Sequence, residues 1–380
     1  MSGAAATAQV RRVKKAFDYV DGAMSEAMQR VLEARHYYLG PENEAFEAEV
    51  SRYLGCEHAV AVNSGTSGMF LILKALQIGP GDEVVVPAMG FVTLAEAVAV
   101  TGAKPVFADV EPETYNLDPE SVRSVITEAT KAIVPAHKYG HPADLDALGA
   151  IASERGIAVV EDACHAFGGA YRGRRTGPIG RAGFLSFAGK SISVCGLGGM
   201  VVTNDADLAN EVRLLRDHGR PRARGERFYD IQRIGYNLRL SEIHAAIGRV
   251  QLEHLESWNE ARRQRAAELN AGLSEAGAPV RLPRTLPDCV HAFLHYTIAV
   301  PEGHRDALRA HVHQAGVDAS VLYPQDLHLI GPYQELVGHV EGDFPVAERL
   351  TSEVLSLPNH PGLADEDVGV VVEAVASFYR

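Results

Sequence analysis

Lysine is scarce in this chain. Its 380 residues carry only 7, against 29 arginines, and none follows Lys190. Arginine stays protonated at neutral pH and forms no Schiff base, so amine chemistry has few candidates. The four cysteines (Cys56, Cys164, Cys195 and Cys289) lie far apart without any CxxC. That spacing suggests neither a zinc knuckle nor a disulfide framework, and no metal is expected. No apolar run approaches the ~20 residues that cross a bilayer. The first residues lack the apolar stretch of a secretory signal, so a cytoplasmic location is expected. Positive charge is in deficit, with 36 Lys+Arg against 49 Asp+Glu and a formal net charge of −13. Such a chain repels polyphosphate backbones, which argues against nucleic acid as a partner.

What is present is the material of an enzyme with a large core. Hydrophobic residues make up 46% of the chain and charged residues 22%, which excludes wholesale disorder. Short β-branched runs at 58–62, 83–87, 104–109, 132–136, 157–162, 183–187 and 200–203 predict strands. Helical stretches at 68–75, 119–126 and 143–154 lie between them. This alternation predicts an α/β fold, a mainly parallel sheet covered on both faces, with ligands beyond the strands' carboxyl ends. From 241 to about 275 the pattern predicts one long helix with Ser241 as its N-cap. A smaller α/β unit follows, with strands at 293–300 and 317–323 and helices at 305–314 and 365–378. The expected division is an N-terminal arm (1–23), a large cofactor-binding domain (24–256) and a small C-terminal domain (257–380).

Three segments suggest chemistry. Asn63-Ser64-Gly65-Thr66-Ser67-Gly68 follows a strand and opens a helix, where free amides and hydroxyls make a cup for one anion. It has no Walker lysine, so a nucleoside triphosphate is not expected. Glu161-Asp162 ends another strand. Lys190 follows Ser186 in a loop of small residues before Gly198-Gly199. A phosphate cup, a carboxylate and an amine at neighbouring strand ends are what pyridoxal 5′-phosphate requires. The cup takes the phosphate, Asp162 keeps the pyridine nitrogen protonated, and Lys190 forms the Schiff base and then moves the proton.

The sequence resembles the DegT/StrS family of sugar aminotransferases, of the aspartate-aminotransferase fold (fold type I). The resemblance rests on Ser64-Gly65-Thr66, Gly81-Asp82-Glu83-Val84, Lys104-Pro105-Val106-Phe107, Glu161-Asp162-Ala163, Gly198-Gly199-Met200-Val201-Val202-Thr203, Gly235-Tyr236-Asn237-Leu238-Arg239-Leu240 and Leu355-Ser356-Leu357-Pro358. It implies that Thr66, Ser67 and Ser186 bind phosphate, that Phe91 stacks on the pyridine and that Asp162 pairs with its nitrogen. It further implies that His165 lies near the cofactor's 3′-oxygen. Asn237 would reach the phosphate of a neighbouring subunit, making a homodimer with shared sites. Three positions depart from the family pattern: Lys190 comes four rather than five residues after Ser186, Leu197 replaces an acidic residue, and Gly90 replaces a common threonine. Lys190 remains the expected attachment lysine because Leu197 comes seven positions after it, as the corresponding residue does in some relatives.

The implied reaction converts a keto-sugar into an amino sugar with glutamate or glutamine as donor, in amino-sugar or antibiotic biosynthesis. Arg220, Arg222, Arg224 and Arg227 crowd one stretch of an acidic chain and suit a diphosphate, which favours a nucleotide-linked substrate. A free cyclitol ketone is the alternative. A sugar dehydratase replaces the lysine with histidine, against which Lys190 argues, and Ser191 in the lysine's usual place would suit a non-catalytic binding protein. His137, Tyr323 and His328 are further candidates for contact with substrate. Lys138, after a strand but without hydroxyl or glycine neighbours, is the rival amine.

Overall fold

Strand and helix alternate through the first two-thirds of the molecule; the computed structural model describes residues 12–15, 17, 19–189, 196–221 and 229–380. The chain opens with α1 (Gly22–Ala34), α2 (Pro41–Leu54), β1 (His58–Val62), α3 (Gly65–Ala75), β2 (Glu83–Pro87) and α4 (Thr93–Thr101). β3 (Lys104–Ala108), α5 (Pro119–Val125), β4 (Thr130–Ile133), α6 (Leu145–Arg155) and β5 (Ala158–Asp162) follow. A short pair, β6 (Ala170–Tyr171) and β7 (Arg174–Arg175), precedes β8 (Ala182–Ser186), β9 (Gly199–Thr203) and α7 (Ala206–Arg216). Then come α8 (Glu242–Glu275), β10 (Cys289–Val290), β11 (Tyr296–Ala299), α9 (Arg305–Gln314) and α10 (Gly331–Val337). α11 (Pro345–Glu353), β12 (Val354–Leu357) and α12 (Asp365–Ser377) complete the chain.

Seven strands form one sheet in the order β1-β9-β8-β5-β4-β2-β3. The pairs from β3 through β2, β4 and β5 to β8 are parallel, while β9 runs antiparallel to both β8 and β1. Six strands thus end on the same edge. Their near-continuous apolar runs reflect cover on both faces. In β2, Val84 and Val86 join one core while Val85 between them joins the core on the opposite face. This is the fold-type-I architecture expected from the sequence.

A second core lies around β11, β12, α9 and α12, with Val13 from the N-terminal segment packed into it. α8 joins the two. Ser241 caps it by accepting the His244 N–H at 3.2 Å, Ile247 and Leu255 pack in the large core, and Leu269 and Leu273 pack in the small one. The division expected at residue 256 falls inside this helix, which is continuous there. Among the described residues no helix is long and apolar enough to cross a membrane.

Two expected strands need correction. The 132–136 strand begins at Thr130 and ends at Ile133, because Pro135 has no N–H to continue a ladder. No strand forms over 317–323. Val317 bridges Val13 and Ser320 bridges Ser356, so the segment meets two different partners and builds no run of consecutive pairs.

Candidate active site

The phosphate cup begins where β1 ends. The Ser64 hydroxyl accepts the Ser67 N–H at 3.0 Å and donates to Ser67 Oγ at 2.9 Å, fixing the start of α3. The first amides of a helix have no intrahelical acceptor and carry the positive end of its dipole. Ser186, the last residue of β8, packs against this turn: a Cβ on Gly65 would lie 2.9 Å from its own Cβ. On the other side a Cβ on Gly199 would come within 2.5 Å of the Ser64 carbonyl carbon. Glycine at both positions lets the helix start and the strand ends converge.

They converge on a cavity of about 250 Å³ whose lining includes Ser64, Gly65, Thr66 and Ser186. Asp162 and His165 enter it from the end of β5, and Phe91 and Thr93 from the segment after β2. Asp162 accepts the Cys164 N–H at 3.0 Å, which sets the direction of its carboxylate. The Thr66 and Thr93 hydroxyls are 2.8 Å apart. Phe91 is 58% exposed although it belongs to a cavity wall. An aromatic face left open there suits a planar ring.

Glu161 is put to a different use. Its fully buried carboxylate accepts the N–H groups of Gly177, Ile179 and Gly180 at 2.7, 2.6 and 2.7 Å, and lies 3.0 Å from His137 Nε2. His137 Nδ1 accepts the Ala143 N–H at 3.0 Å, so Nε2 carries the proton and donates to Glu161. Both ring nitrogens are thereby engaged. His137 borders the cavity with both nitrogens committed to bracing β5.

Tyr323 reaches the cavity from the small unit, its hydroxyl 3.5 Å from His165 Nδ1. Burial pushes its phenol far above the usual range. Beneath it lies Lys138, buried, with Nζ 4.7 Å from the centre of the Tyr323 ring. Burial pulls this ammonium down to about 8, against the opposing pull of the Asp162 and Asp326 carboxylates. The rival amine therefore belongs to the cavity wall.

Other expected residues lie elsewhere. Ser67 supports the cup through Ser64 and is not part of the cavity lining. Arg220 is held by Asp217 at 2.7 Å, which also holds Arg239 at 2.7 Å, so its guanidinium is engaged away from the cavity. His328 is fully buried behind the wall, 3.1 Å from Glu348 and packed on Phe344. Asn237 is exposed and accepts from Arg239 at 2.6 Å, outside this protomer's cavity. Lys190 and Arg222 lie outside the described residues. Ser64 lines the cavity as a member of the expected cup, and Cys164 lines it beside Asp162; Thr93 lines it too, although nothing in the sequence singled it out.

The donor set fits a phosphorylated pyridine. A helix start with hydroxyls, a carboxylate held in direction and an open aromatic face match its phosphate, ring nitrogen and ring plane in turn.

Comparison with known proteins agrees with this geometry. The profile of the DegT/DnrJ/EryC1/StrS aminotransferase family matches residues 19–376. The dTDP-3-amino-3,4,6-trideoxy-alpha-D-glucose transaminase of Streptomyces venezuelae is 41% identical over 370 residues, covering 96% of this chain and 94% of its own. The UDP-2-acetamido-2-deoxy-3-oxo-D-glucuronate aminotransferase of Pseudomonas aeruginosa is 36% identical over 351 residues, covering 92% and 94%. Among solved structures, S. venezuelae DesV in complex with a ketimine intermediate superposes with a TM-score of 0.88 at 42% identity, covering 93% and 94%. This chain belongs to the DegT/DnrJ/EryC1/StrS aminotransferase family.

Proposed function

We propose that this protein is a pyridoxal 5′-phosphate-dependent aminotransferase that converts a nucleotide-linked keto-sugar into an amino sugar, with glutamate or glutamine as donor. The observation that carries the reading is the convergence of Asp162, Phe91 and the Ser64–Thr66 helix start, with Ser186, on one cavity. When bound, the cofactor supplies an electron sink and carries the amino group from donor to ketone. The Ser64–Thr66 turn and Ser186 hold its phosphate. Asp162 holds a proton on the ring nitrogen, and Phe91 covers one face of the ring. His165 borders the 3′-oxygen. Lys190 supplies the amine that attaches the cofactor and moves the proton to and from the substrate carbon.

Relatives named for dTDP- and UDP-linked sugars favour a nucleotide-linked substrate over a free cyclitol ketone. The exposed Asn237, with Ile234 beside it 91% exposed, supports a homodimer in which this segment meets the neighbouring subunit's phosphate cup. The enzyme acts in the cytoplasm. A panel of dTDP- and UDP-linked keto-sugars and cyclitol ketones, offered to protein first converted by glutamate, tests the substrate class. Return of the starting absorption with a nucleotide-sugar and not with a cyclitol is expected; the reverse pattern overturns the assignment.

A further inference from the structure

Two unusual features of the cavity meet at one point. An ideal Cβ on Gly90 would lie 2.9 Å from Lys138 Nζ and 2.8 Å from Leu94 Cδ1. Gly90, which has no side chain, leaves the space that the Lys138 amine fills. The amine is also placed over the Tyr323 ring, a favourable position for a cation.

We propose that Lys138, housed by Gly90, is a positioning cation of this cavity that sets the protonation of the bound cofactor. The inference rests on the cofactor reading given above. Among the described residues lining the cavity, Lys138 is the one lysine or arginine. A buried ammonium is costly unless it is balanced. The groups that face it are Asp162 from β5, Asp326 from the loop before α10, and the Tyr323 ring, on which His165 also stacks with centroids 6.4 Å apart. Asp162 is thus shared: the carboxylate that holds the ring nitrogen's proton also sees the lysine's charge. Burial leaves the ammonium titrating near 8, so its charge responds to what binds beside it. A cation next to the bound cofactor disfavours a further proton there.

Spectrophotometric pH titration of the cofactor-loaded protein tests this, because the visible absorption of the bound cofactor reports its protonation. Lys138→Met removes the charge while keeping an apolar stem, and the titration midpoint should rise by about one pH unit or more. Gly90→Thr, which fills the amine's space, should shift the midpoint in the same direction, and the double variant should shift it no further than Lys138→Met alone. Should one single variant fail to fold, the other carries the comparison. Borohydride reduction of the wild-type protein, followed by peptide mapping, separates the two readings. Label on Lys190 with unchanged midpoints in every folded variant overturns the role of Lys138 and leaves the proposed function standing. Label on Lys138 overturns both the Lys190 assignment and this proposal.

Discussion

Glu161 and Asp162 are consecutive residues of β5, and the strand directs them to opposite tasks. Glu161 is fully buried, fixing three backbone amides and His137, while Asp162 lines the cavity. Alternation of side chains along a strand accounts for the split. Their conservative amides should therefore fail in different ways. Glu161→Gln leaves buried N–H groups with a weaker acceptor and should cost roughly 2–4 kcal/mol of stability. Denaturant unfolding checks it, and an unchanged midpoint would contradict the bracing role.

Asp162→Asn should fold with near-normal stability. On the proposed role of Asp162 at the ring nitrogen, loss of its charge should lower turnover by about 2–3 kcal/mol of transition-state stabilisation, roughly 30- to 150-fold. Steady-state kinetics beside a melting curve distinguishes this from a folding defect.

Asp326 gives a pH dependence. Burial raises its carboxyl from 3.8 to about 6, with the Thr351 hydroxyl opposing at 2.7 Å and Glu348 and Asp109 adding to the rise. The folded protein holds this proton more tightly than the unfolded chain. The residue's contribution to stability is therefore greatest at low pH and is lost as pH rises through the window from about 4 to 6, by roughly 1–3 kcal/mol. Asp326→Asn should flatten the stability curve across that window. Urea unfolding at the two ends gives the comparison, and an identical slope in both proteins would count against it.

A site shared between subunits predicts complementation. Lys190→Ala and Asn237→Ala proteins should each be inactive, and an equal mixture after subunit exchange should recover about a quarter of wild-type activity, one intact site in half of the dimers. No recovery despite verified exchange would place Asn237 outside its neighbour's site.

Much of this was legible in the sequence, for physical reasons that also mark where legibility ended. β1 and β2 run over the residues that their valine-rich runs predicted, because strands buried on both faces have no other reading. Ser241 announced α8 because an N-cap is a local event. Asp162, Phe91 and Thr66 were placed by motif and lie together on the cavity. Lys138 was undervalued because its neighbours in space, Gly90, Tyr323 and Asp326, lie 48 residues before it and 185 and 188 after it in the chain. Local sequence carries no trace of such a contact. His137 and His328 looked available for the opposite reason: only the fold supplies Glu161 and Glu348 as their partners.

Transfer of isotope tests the central claim most directly. Protein loaded with pyridoxal 5′-phosphate is given glutamate labelled with ¹⁵N at the α-amine and then a dTDP-linked keto-sugar, and the sugar product is weighed by mass spectrometry. The account predicts an amino sugar carrying one ¹⁵N per molecule with the wild-type protein and none with Lys190→Ala. An unlabelled product, or equal labelling by both proteins, would contradict it.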